Sequence, residues 1–151
     1  MSDITVRRSA VQAEDRSWLQ GPAGVGPGET PSVTLDLELF TAATHYPNGY
    51  VPSGIVLGQV TASKKFGPYD PAASDGRQAA AGHLFGSLTV AAPTGVVGGA
   101  LVRTNATIDP ARLPVSSGTG ALDDAARLAL FRITYTDKPT AIPAPAEGSD
   151  G

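Results

Sequence analysis

The sequence predicts a mainly β domain of the α+β kind, rich in turns and carrying one short helix. Two observations lead there. The 151 residues include 18 glycines and 13 prolines, about a fifth of the chain, against a usual share of roughly 12%, so the backbone changes direction often. Several short segments also alternate apolar and polar side chains at period two, the spacing of a half-buried strand, and a single segment shows helical period.

Length and charge narrow the function classes. A chain near this length makes one domain with room for tails. The net charge of −3 argues against nucleic acid as the main partner, which would need clustered Lys and Arg. The absence of cysteine excludes disulfide scaffolds, thiolate zinc sites and thiol catalysis. The weakly polar stretch from Val90 to Val102 is interrupted by Pro93, Thr94 and three glycines, so no membrane span is expected. No hydrophobic run follows Arg7-Arg8, as an export signal would require.

Composition divides the chain into three parts. Residues 1–31 read as a flexible N-terminal arm and linker. They are polar up to Gln20, with isolated Ile4, Val6, Val11, Trp18 and Leu19, and then have four glycines and three prolines between Gly21 and Pro31. Residues 32–137 form the expected domain. Residues 138–151 contain three prolines among small and polar residues and read as a disordered tail.

Within the domain, Ser32 to Phe40 is a strand with Val33, Leu35, Leu37 and Leu39 on one face. His45 to Tyr50 is a turn, because Asn48-Gly49 readily takes positive φ. Val51 to Val60 is a strand reached through Pro52 and Gly54, Thr61 to Arg77 is polar turn material, and Ala79 to Val90 is a further strand. Ala100 to Ile108 alternates again, and Asp109-Pro110 looks like a helical cap followed by proline in the first turn. Leu122, Ala125, Ala126, Ala129 and Leu130 make the apolar stripe of the one helix, with Asp123 and Asp124 in its first turn. Phe131 to Tyr135 is a last strand.

Catalytic chemistry finds little support. His45 and His83 are the only histidines, and no paired-ligand spacing accompanies either, so no metal and no cofactor are expected. His83 reads as structural within a strand, and His45 as a solvated turn residue. No Gly-x-Ser-x-Gly elbow presents a serine nucleophile. Gly95-Val96-Val97-Gly98-Gly99 lacks the Lys-Ser/Thr of a phosphate loop. Arg103 lies in an alternating strand and suits either a subunit boundary or a solvated face.

The middle of the chain forms an ordered series. Tyr50-Val51-Pro52-Ser53-Gly54-Ile55-Val56-Leu57-Gly58 is followed by Gly67-Pro68-Tyr69-Asp70 and then by Asp75-Gly76-Arg77-Gln78-Ala79-Ala80-Ala81-Gly82-His83-Leu84. Gly99-Ala100-Leu101-Val102-Arg103-Thr104-Asn105-Ala106-Thr107-Ile108 and the helix ending near Phe131 complete it. The series resembles the head decoration proteins of tailed bacteriophages, the lambda-type capsid cement family, over about Tyr50 to Ile133. The segment Ala91 to Gly98 and the tail beyond Tyr135 depart from the family pattern.

The resemblance implies a compact β-clip (β-tulip) domain that trimerises on the capsid exterior, a structural virion protein without catalytic residues or cofactor. The implied partners are the major capsid protein of the same phage and further copies of the chain, with assembly in the host cytoplasm. The arm then becomes the candidate capsid-binding element. Ile4 and Val6 alternate with Thr5 and Arg7 as in a short strand able to add to a sheet edge, and Trp18 and Leu19 are the candidate anchors. Two rivals come from other classes. Trimeric dUTPases share the architecture, and Pro52-Ser53-Gly54 is similar to their phosphate-contacting motif, although their uridine hairpin and Gly-rich C-terminal motif are missing. A sugar-binding phage surface module would use Tyr46, Tyr50 and Tyr69.

Overall fold

The computed structural model describes residues 15–26, 28–90 and 94–136. In chain order the strands are β1 (Ser32–Asp36), β2 (Tyr50–Val51), β3 (Val56–Gln59), β4 (Phe66–Pro68), β5 (Ala80–Leu84), β6 (Leu88–Thr89), β7 (Val96–Val102), β8 (Thr107–Ile108) and β9 (Thr134–Tyr135). Two short helices, α1 (Ala42–His45) and α2 (Asp124–Ala129), and 3-10 turns at Leu37–Leu39 and Pro110–Arg112 complete the described chain. The fold is mainly β, as the composition predicts, with one more short helix than expected.

Five strands close a barrel in the order β1-β4-β3-β5-β7. β1 and β7 run antiparallel from Ser32 opposite Ala100 to Asp36 opposite Val96. A parallel contact of β1 with β4, Leu35 opposite Phe66, closes the ring. Closure removes the open sheet edges that a short-stranded sheet would otherwise expose. Alternation along the strands then produces two cores. Leu35, Leu37, Phe40, Ile55, Leu57, Phe66, Leu84 and Leu101 pack together on the inner side. Trp18, Val56, Tyr69, Val102, Ile108, Ala126, Leu130 and Tyr135 form a second cluster on the outside. A bulge in β5, where Ala81 is the extra residue between the partners of Leu57 and Gly58, shifts the register, which lets Ala80 join the outer cluster while Leu84 stays with the inner one.

The outer layer is built from α2, the parallel pair β8–β9 and the N-terminal residues 18–20. Leu19 bridges Ile108 in antiparallel sense. The Gln20 amide donates to Thr107 O at 2.8 Å, and the Asp109 amide donates to Trp18 O at 2.8 Å. Among the described residues, 18–26 and 28–31 are therefore tied to the barrel. Gly24 is buried with φ +90°, and a Cβ there would lie 2.6 Å from Thr104 O, so only glycine allows this crossing. The Glu29 carboxylate accepts from the Gly26 amide and from Asn105 Nδ2. Packing begins at Trp18, well before the expected domain start at Ser32.

Several strands differ from expectation for local reasons. The Ser32–Phe40 strand stops at Asp36, whose carboxylate accepts from the Glu38 amide and starts a 3-10 turn. Thr61 to Arg77 is not all turn, because it contains the buried strand β4. The Ala79–Val90 segment divides into β5 and β6. Ala100–Ile108 is broken by Asn105 at φ +61°, and β7 instead extends back to Val96. The Asp109 cap is present, accepting from the Ala111 amide. The helix is shorter than its stripe: Asp123 caps α2 by accepting from the Ala126 amide, and the helix ends at Ala129. Ile4, Thr5, Val6 and Arg7 and the tail 138–151 lie outside the described residues.

Candidate functional site

Trp18 nucleates a buried polar knot. It is fully buried, its indole stacks on the His83 ring at 5.7 Å between centroids, and its Nε1–H donates to Ser53 Oγ at 3.0 Å. Ser53 Oγ in turn donates to Phe85 O at 2.7 Å. His83 Nδ1 lies 2.8 Å from Gly54 O, and Nε2 lies 2.9 Å from the Tyr135 hydroxyl. A carbonyl only accepts, so Nδ1 carries the proton and Nε2 accepts from Tyr135. Gly54 fits this corner because of its φ of +101°, and a Cβ would approach Trp18 Nε1 to 2.9 Å.

This knot fixes structure. Burial lowers the His83 pKa to about 4, and the ring is fully excluded from solvent. Ser53 has both its donor and its acceptor engaged by other partners, so it is not presented to a phosphate as the dUTPase reading requires. A second buried histidine lies nearby in the chain. His45 is 2% exposed, accepts from the Thr41 amide through Nδ1, and donates from Nε2 to Thr119. It is thus a clamp between α1 and the 118–120 turn, not the solvated residue expected. Tyr69 is equally enclosed: its hydroxyl donates to Asp123 Oδ1 at 2.9 Å, and burial together with that carboxylate pushes its pKa up to about 12. With Tyr69 buried, the three tyrosines of the sugar-binding reading do not form one exposed platform. Among the described residues no cluster of His, Asp and Glu is placed to hold a metal ion.

The expected anchors therefore move. Trp18 and Leu19 belong to the domain, the first in its outer core and the second as a strand partner of Ile108. Trp18 cannot be a hot spot for another protein while it fills its own fold. The large apolar side chains left strongly exposed among the described residues are Val96, Leu128 and Phe131. Sequence reasoning passed over Leu128, although its place off the helix stripe marked it as facing away from the barrel. Phe131 lines an open groove of about 540 Å³ together with Glu29, Arg103 and Arg132. A smaller cavity of about 240 Å³ lies at the start of the described chain, with Asp15, Tyr50 and Arg112 in its wall.

The comparison with protein families decides the class. The family of the bacteriophage lambda head decoration protein D matches residues 35–133, from within β1 to just before β9. The chain belongs to this head decoration family. Comparisons with curated proteins and with solved structures gave no match. In this decoration protein the residues of the ordered series turn out to be architectural: Pro52-Ser53-Gly54 carries the knot, and Gly82-His83 crosses between the two cores. Trp18 and Tyr135 lie outside the matched span and close the outer layer around it.

Proposed function

We propose that the protein binds the outer surface of a phage capsid as a homotrimer and cements the shell, its partner being the major capsid protein of the same phage. The role is structural and not enzymatic, and the protein reaches the shell after assembly in the host cytoplasm. The family match over residues 35–133 carries this reading. A closed barrel with two cores supplies the rigid body such a staple needs. Three contacts on one rigid body gain ~10²–10⁴ in avidity over a single contact, so opening a seam requires breaking all three.

The arm is redefined as residues 1–14, with Ile4 and Val6 as its strand-forming side chains. Capsids lacking the decoration protein, mixed with full-length or 15–151 protein, test it. The shortened form should fold normally and show severely reduced occupancy. Full occupancy by residues 15–151 would remove the arm from the mechanism. A second truncation, after Asp137, should leave both melting temperature and occupancy unchanged, because Pro139, Pro143 and Pro145 suit neither a helix interior nor a central strand. A drop in either quantity would assign the tail a contact.

A further inference from the structure

We propose that copies of the chain associate head to tail, the Leu128–Phe131 patch of one copy seating on the Val96 end of the β1–β7 face of the next. Leu128 is 78% and Phe131 76% exposed, at and just beyond the C-terminal end of α2. Two arginines border them, and the one carboxylate in the wall of the groove, Glu29, is taken up by the Gly26 amide and Asn105 Nδ2. The Arg132 guanidinium lies 5.6 Å from the Phe131 ring centroid, and exposed Arg103 lines the same groove. Exposed aromatic and arginine side chains in one patch have the composition of an interface hot spot.

The complementary surface follows from the barrel register. Ser32, Thr34 and Asp36 alternate with inward Val33 and Leu35, and stand opposite Ala100, Gly98 and Val96. The outer face of β1–β7 therefore carries small side chains that let a neighbour come close to the backbone. At one end Val96 is 54% exposed, with Asp36 directly across from it and exposed Glu38 two residues further on. An apolar projection with a basic border thus exists on one part of the molecule, and an apolar spot with an acidic border on another.

Geometry and charge select the occupant. Val96 and Arg103 are separated by seven residues along and just past β7, roughly 20 Å at strand rise, so the two surfaces do not cover each other within one chain. Pairing the Leu128–Phe131 patch with its own copy would oppose Arg103 and Arg132 to themselves, which like-charge repulsion disfavours. Pairing it with the Asp36–Glu38 end brings opposite charges together. A contact between two different surfaces is heterologous, giving a ring where the rotation between neighbours closes and an open filament where it does not. That the ring has three members rests on the proposed function, whereas the pairing does not.

The test measures solution mass of the full chain by sedimentation equilibrium. Arg132→Glu or Glu38→Arg alone should weaken association roughly tenfold or more, and Leu128→Ser with Phe131→Ser should leave only the 15.3 kDa chain. Combining Arg132→Glu and Glu38→Arg in one chain should restore association beyond either single variant. Thermal melts of each variant should match the parent, since all four positions are on the surface. A parent that associates while the charge variants leave its mass unchanged would overturn the pairing, as would a parent that stays monomeric at every accessible concentration. Capsid occupancy of the same proteins is read separately, so loss of the pairing and loss of the decoration role are distinguishable.

Discussion

Replacing Trp18 by alanine is expected to destabilise the isolated domain by about 3–5 kcal/mol, the range for truncating a buried tryptophan. The side chain is fully buried, stacks on His83 and holds Ser53 Oγ. Its loss would open a cavity in the outer core and leave a buried hydroxyl one partner short. The melting temperature should fall by roughly 10–20 °C for a domain of this size, without any capsid present. Deleting residues 1–20 should be at least as damaging, because it also removes the Leu19 bridge to Ile108 and the Gln20 bond to Thr107. Deleting residues 1–14 should not. Scanning calorimetry of the three proteins separates the alternatives: an unchanged melting temperature for Trp18→Ala, with lowered capsid occupancy, would return the residue to the role of external anchor.

The second large effect is loss of stability in mild acid. His83 is neutral in the fold with its pKa lowered to about 4 by burial, against an ordinary 6.5. Between those values the unfolded chain holds a proton that the folded chain does not, so stability is complete above pH ~6.5 and falls as the pH drops. At about 1.4 kcal/mol per unit the loss reaches roughly 3 kcal/mol near pH 4 and then levels off. His45 adds in the same direction, since burial also lowers its pKa. The carboxyls of Asp15, Glu29 and Asp75 are held low by hydrogen bonds, and their contribution is lost only further down the scale. Urea melts at intervals from neutral pH to pH ~4.5 should show this slope, and His83→Gln should flatten it. A slope unchanged by that substitution would exclude His83 as its source.

The parts of the fold visible in the sequence are those whose cause is local. Val33 and Leu35 alternate because one side of β1 faces the barrel interior, and Asp109 caps because a carboxylate two residues before a free amide does so in most contexts, whereas Asp123, expected in the first turn of the helix, is its cap. β4 was hidden because Phe66-Gly67-Pro68 consists largely of turn formers. It is a strand because Leu57, Gly58 and Gln59 lie opposite it, and because Gly67 leaves room for Leu39. Trp18 was the harder case. A lone tryptophan in polar sequence looks the same whether it docks on another protein or on its own barrel, and the partners that decide, Ser53 and His83, are 35 and 65 residues away. The outward patch of Leu128 and Phe131 was not read: Phe131 was placed in a last strand with Ile133 and Tyr135, and that strand is only Thr134–Tyr135, which leaves Phe131 in the exposed turn after α2.

Residues 18–20 run alongside β8, joined to it by one antiparallel bridge at Leu19 and the hydrogen bonds on either side, and this sets how tension would pass through the molecule. A coiled glycine-rich leash would stretch under a pull at Asp15 before any load reached the barrel. Here the same pull meets the Asp109–Trp18 and Gln20–Thr107 bonds at once, with an indole ring behind them that must leave its socket before the chain can lengthen. The described chain thus begins at a rivet, with no slack between it and the wall of the barrel. If a shell swells against whatever lies before Asp15, the domain resists as one stiff piece from the first increment of displacement.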